Sequence, residues 1–249
     1  MWGGTAADDA LDGSWSVVSA SGVSSAGVSL VGVGRGLAFG ASMLGPYTPT
    51  GKRCIATKAR GRRVLEIDGG SAKEWVYAWL GDCVREQYEH GGMILPQTAQ
   101  SPIGVTEQQN SGQHGYRTAH LAALGGRGET FVDFFAPVPE GSTLTVMDAG
   151  DGPATGYAAA LSEAFDAANA CLLDRSEAEA TARAGLLIFC GGMAIAVGDA
   201  LARGLTDAGF RSRTDGLQLM GVTCFGEQAC IEHKGNVQRN LSVGLILFG

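Results

Sequence analysis

Three residues near the C-terminal end have the types and placement to do chemistry: Cys190, Glu227 and Asn240. Cys190 closes the apolar run Leu186–Phe189 and precedes Gly191–Gly192, a turn that opens a helix. Backbone N–H groups at a helix start, aimed at a sulfur, lower its pKa and make a reactive thiol. The competing reading is a small buried residue at a tight turn. A nucleophilic cysteine also needs a base, and His90, His114, His120 and His233 are the candidates, none in a recognisable catalytic setting. Glu227 follows Gly226 at the end of the apolar stretch from Gly221. A carboxylate between two apolar strands must be solvated, hydrogen-bonded or turned towards a cavity. Asn240 stands just ahead of the final strand, where it can fix a loop or bond the same ligand. Cys190, Gly191, Gly226, Glu227 and Asn240 form the candidate ligand-binding set, with no residue assigned a catalytic role.

Other chemistry is excluded by spacing. Cys230 and His233, with Cys224 nearby, hint at zinc, but four ligands are needed and no second pair is present. Gly32, Gly34 and Gly36 suggest a phosphate loop, yet Leu37 breaks the dinucleotide pattern and the region downstream is basic rather than acidic. The glycines read instead as a hairpin, and no cofactor or metal is expected. With 25 acidic against 18 basic residues, a net charge of −7 argues against a nucleic-acid partner. Lys52, Arg53, Lys58, Arg60, Arg62 and Arg63 form one basic run, read as the solvated faces of two strands. The apolar stretch from Ala184 to Gly198 falls short of the roughly 20 residues that span a membrane. Six cysteines without a Cys-x-x-Cys pair, and no apolar leader after Met1, point to the cytoplasm.

The elements that must position these residues follow from periodicity. Residues 15–68 read as strands, with β-prone runs at Val28, Leu30 and Phe39, a turn from Pro46 to Gly51, and a hairpin across Arg60–Gly61. Ser71 and Glu74 have capping-box spacing, and Ala72, Trp75, Val76, Trp79, Leu80 and Val84 mark one helical face. Strands return at Tyr116–Leu121, Phe131–Phe135 and Thr143–Met147. A second helix carries Tyr157, Leu161, Phe165, Ala168 and Leu172 on one stripe, with the acidic 174–182 as its end or a surface connection. A third helix runs from Met193 to Asp207, stopped by Gly209, and two final strands close the chain. The expected class is α+β, with β-rich mixed or antiparallel sheets packed against about three helices.

Read together, these segments resemble the FIST domain. Gly226–Glu227, and Asn240 before the last strand, are similar to the end of its C-terminal domain. Trp2 to Asp9 resembles a Gly-Gly-x-Ala-x-Asp-Asp element late in its N-terminal domain. Tyr47-Thr-Pro49-Thr-Gly51, Ile55 to Ala59, Leu65 to Ala72, Val138 to Gly141, and Leu187 to Gly191 resemble further family segments in the same order. Ser71 replaces a proline, and Met193 or its neighbours stand where the family places an arginine. The resemblance implies that residues 1–45 are a C-terminal remnant of the N-terminal domain and residues 46–249 a complete C-terminal domain. It implies a sensory, signal-transduction module that binds a small, amino-acid-like metabolite or a protein partner. In a eukaryote that role would be substrate recruitment in an F-box ubiquitin ligase. The alternative is a cysteine-dependent hydrolase or transferase using Cys190. An N-terminal segment cut from its domain leaves open edges and apolar faces, so self-association through it is expected.

Overall fold

The computed structural model describes residues 1–7, 14–34, 36–108, 114–149, 153–174, 181–231 and 235–249. Asp8, Asp9, residues 175–180 and His233 therefore lie outside the described residues, as does part of each motif that names them.

The chain opens with β1 (Gly3–Gly4), a hairpin of β2 (Val17–Ser19) and β3 (Gly22–Ser24), and β4 (Phe39–Leu44). Next come β5 (Thr48–Arg60), β6 (Arg63–Ile67), β7 (Gly70–Ser71), α1 (Ala72–Leu80), a 3-10 turn over Gly81–Val84, and α2 (Arg85–His90). The middle holds β8 (Gly92–Met93), α3 (Leu95–Thr98), β9 (Ile103–Gln108), β10 (His114–Ala119), β11 (Leu121–Leu124), β12 (Val132–Phe134) and β13 (Thr143–Asp148). α4 (Pro153–Asp174) leads to β14 (Ala184–Cys190), α5 (Gly191–Val197), α6 (Ala200–Leu205) and α7 (Ala208–Thr214). β15 (Gln218–Cys224), β16 (Glu227–Ile231), β17 (Gly235–Arg239) and β18 (Val243–Phe248) finish the fold.

The class is α+β and β-rich. A large sheet is ordered β10-β9-β13-β5-β6-β12-β11-β8, with β7 beside β6. A four-stranded sheet runs β15-β14-β18-β4, and smaller sheets are β1-β16-β17 and β2-β3. One core packs Tyr157, Leu161, Ala168 and Leu172 of α4 against Leu187, Phe189, Val243 and Leu245 of the four-stranded sheet. A second gathers Val64, Val76, Leu121, Val132 and Leu144 between the large sheet and α1. Full burial of each such side chain is worth about 1.5–3 kcal/mol.

Several local expectations hold. Ser71 caps α1, its hydroxyl accepting from Glu74 N–H at 3.2 Å, and the α4 stripe is buried as its spacing requires. Others are corrected. Pro46–Gly51 is not a closed turn: β5 begins at Thr48, and Gly51 sits at φ 87°, inside the strand. Val28, Leu30 and Gly32 to Gly34 are in no strand or hairpin, and the hairpin turns earlier, at Ala20–Ser21. The third helix is three short ones. Gly198, at φ 50°, ends α5, and Asp207 then caps α7 by accepting from Gly209 and Phe210 N–H. Gly209 thus begins a helix rather than ending one. The two final strands are four, because Gly226, at φ 98°, turns the chain between β15 and β16.

The expected division at residue 45 does not separate two bodies. β4 pairs antiparallel with β18 along its length, from Phe39 opposite Phe248 to Leu44 opposite Val243. α4 lies directly on β4, with Ser42 Oγ donating to Ala164 O at 2.6 Å. β1 likewise pairs with β16. Residues on both sides of the division share sheets and a core.

Candidate functional site

The site forms where the parallel strands β14 and β15 end. They pair in register, so Cys190 lies opposite Cys224. On its other side β14 has an antiparallel neighbour, β18. Glu227 begins β16 just past the Gly226 turn, and Asn240–Ser242 join β17 to β18. Leu241 between them is fully buried at φ 54°. A left-handed leucine costs about 1–2 kcal/mol, and such strain concentrates at functional sites.

That conformation fixes the neighbouring bonds. Ser242 N–H donates to Glu227 Oε2 at 3.1 Å, and Cys190 N–H donates to the Ser242 carbonyl at 3.2 Å. The Cys224 thiol donates to Glu227 Oε1 at 3.6 Å, and the Cys190 thiol lies near enough to the same carboxylate to influence its charge. Glu227 is completely buried. Burial holds its carboxyl well above the usual carboxylate range, although the donors around it pull the other way. Burial, and then the negative charge of Glu227, push the Cys190 thiol upward as well. N–H groups of Leu241, Met193 and Gly192 do bond the sulfur, as the helix-start reading anticipates, but burial outweighs them.

His120 reaches the same place from the junction of β10 and β11. Its backbone is pinned there by Phe135 N–H, which donates to the His120 carbonyl at 2.9 Å. The buried ring lies 3.0 Å from the Leu95 carbonyl through Nε2. Nε2 must carry the proton in that contact, leaving Nδ1 as an acceptor. Burial lowers the imidazole to about 4, so the ring is neutral at physiological pH. Gly192 lets Nδ1 approach: a Cβ there would stand 3.0 Å from it.

Cys190, Gly226 and Asn240 line one cavity of about 160 Å³ together with His120, Phe225 and Arg62. Asn240 is 4% exposed. Its Nδ2 donates to the Arg239 carbonyl at 3.1 Å, whereas its buried Oδ1 has no partner. Glu227 stands behind the wall, bonded to Cys224 and to Ser242 N–H. Gly191 packs under Phe225, whose Cε2 would lie 2.7 Å from an added Cβ. Four of the five expected residues thus converge, with Gly191 in a packing role. Arg62 and Phe225 were not in the expected set, and His120 was weighed there only as a base.

A larger cleft of about 570 Å³ runs past α1 and α2, but several of its polar groups are already bonded within the protein. Lys73 Nζ donates to Gly126 O at 2.7 Å, the Tyr88 hydroxyl bonds Glu74, and Glu129 accepts from Gly126 N–H. Among the described residues, no helix is long and apolar enough to cross a membrane.

Residues 1–70 match the family model described as the FIST N domain. In that segment the chain is similar to the FIST N domain. The FIST domain is a sensory, signal-transduction domain. The FIST match runs past residue 45 and takes in β5 and β6. No curated protein and no solved structure matches the chain.

Proposed function

We propose that this protein senses a small, amino-acid-sized polar metabolite bound in the cavity at the ends of β14 and β15. The unpartnered Oδ1 of Asn240 carries the reading. A buried acceptor without a donor costs about 1–3 kcal/mol, which a ligand N–H or O–H recovers on binding. The strained Leu241 beside it, and β16 and β18 bonded through Glu227, tie occupancy of the cavity to strands that reach across the molecule.

Catalysis by Cys190 is the weaker reading. A nucleophile needs a thiolate and a base. Here the thiol is buried and held protonated, and His120, which shares its cavity, donates its ring proton to a carbonyl. A reducing, cytoplasmic setting suits the six unpaired cysteines. Val28, 80% exposed, with Leu30 and Val31 beside it, favours an additional contact with a protein surface.

The test is thermal melting against a panel of small polar metabolites. A ligand that binds only the folded state raises the melting temperature. Thr5→Trp, at an exposed residue on the cavity rim, should abolish that rise while leaving the unliganded transition within a few degrees. A panel that never moves the wild-type transition would refute the proposal.

A further inference from the structure

The cavity has opposite chemistry at its two ends. Inside, Asn240 Oδ1 is an acceptor with no donor, and His120 Nδ1 is a second acceptor beside Gly192. Neither can donate to a ligand from those atoms, so each favours a ligand N–H or O–H over an anionic oxygen. Behind this end stands the buried Glu227 carboxyl.

Arg62 supplies the other end. It occupies the turn between β5 and β6 and lines both the cavity and the groove outside it. Three neighbouring basic side chains are engaged: Arg63 grips both oxygens of Asp133 at 2.8 Å, Lys58 pairs with Glu66, and Lys52 lies over Trp75. The Arg62 guanidinium makes no ion pair or hydrogen bond among the described residues. Met193, where the resemblance expects an arginine, is fully buried.

We propose that Arg62 is the specificity-determining residue of the cavity, fixing one ligand orientation: an N–H donor end inward on Asn240 and His120, and an anionic end outward on Arg62. The inference rests on the cavity being the ligand site. Its volume of about 160 Å³ is close to that of a cavity that holds benzene, so the occupant has about six non-hydrogen atoms. An amine and a carboxylate on one short carbon chain meet both ends. A carboxylate alone wastes the inner end, and an amine alone wastes the outer one.

Isothermal titration of the full chain with L-alanine, propionate, ethylamine and L-tryptophan tests this. L-Alanine should bind, propionate and ethylamine at least about tenfold more weakly, since each loses charge-assisted hydrogen bonds, and L-tryptophan should not fit. Arg62→Gln, at an exposed side chain, should lower the affinity for L-alanine about tenfold or more and leave that for ethylamine unchanged. If propionate binds as well as L-alanine, or Arg62→Gln has no effect on it, the orientation is wrong. The cavity still stands as the ligand site in that case if Thr5→Trp removes the binding. Silence from all four probes overturns the orientation and leaves the cavity to the broader metabolite panel.

Discussion

Glu227 and His120 are buried ionisable groups of opposite sense, and their effects on stability can be separated by pH. Glu227 is raised from 4.5 to about 8 by burial. An acid whose folded pKa lies above its unfolded one favours folding when protonated, so stability falls as pH rises from the ordinary carboxylate range towards 8. His120 is lowered from 6.5 to about 4, and it favours folding when neutral, so stability rises with pH between those values. The two oppose each other in acid, and above about 6.5 only Glu227 acts. Urea midpoints should therefore fall between pH 6.5 and 8, and Glu227→Gln should flatten that fall. Equal slopes in both proteins would contradict the assignment. The grouping of Cys190, Glu227 and Asn240 was legible in sequence because each sits where an apolar strand meets a polar or glycine-rich junction. Arg62 and His120 were not. Each arrives from a distant element, and neither a basic run nor a lone histidine indicates which cavity it will face.

At the level of elements, the closest contact is that of β4 with α4. A Cβ on Gly40 would stand 2.0 Å from Ala168 O and 2.3 Å from Leu172 N, distances at which backbone must move. Gly40→Ala should destabilise the protein by about 3 kcal/mol, at the upper end of ordinary overpacking, read as a lowered urea midpoint. A loss below about 1 kcal/mol would show that helix and strand separate easily. The sequence revealed α4 and α1 because long stripes and a capping residue leave little choice. It hid the breaks at Gly198 and Asp207, since Val197, Ala200, Leu201 and Leu205 keep an apolar pattern across a change of axis. It also passed over β16 and β17, which lie between the two expected final strands, because Gln228, Asn236 and Gln238 break up any apolar alternation there.

For the whole molecule, the order of the four-stranded sheet reverses one expectation. An orphaned N-terminal segment would make removal of residues 1–45 improve solubility. β4 belongs to that segment, however, and its loss would uncover the edge of β18 and the face of α4 that holds Ser42. The truncated chain should aggregate or lose cooperative melting, while the full chain melts in one transition. A soluble, folded truncation would show that β4 is dispensable. What remained legible at this scale was the class: alternating β-prone runs, three amphipathic stretches and many glycine turns specify α+β. Strand order was not, because pairings such as β4 with β18 or β1 with β16 leave no local mark.

The most direct test of the central claim is the side-chain amide of Asn240, observed by ¹H–¹⁵N correlation NMR and assigned by its disappearance in Asn240→Asp. If the cavity seats a ligand through Oδ1, saturating L-alanine should shift both Asn240 Nδ2 proton resonances in wild type and should leave them in place in Thr5→Trp. Resonances that stay fixed while L-alanine binds elsewhere would contradict the account, because the unpartnered oxygen would then have no part in recognition.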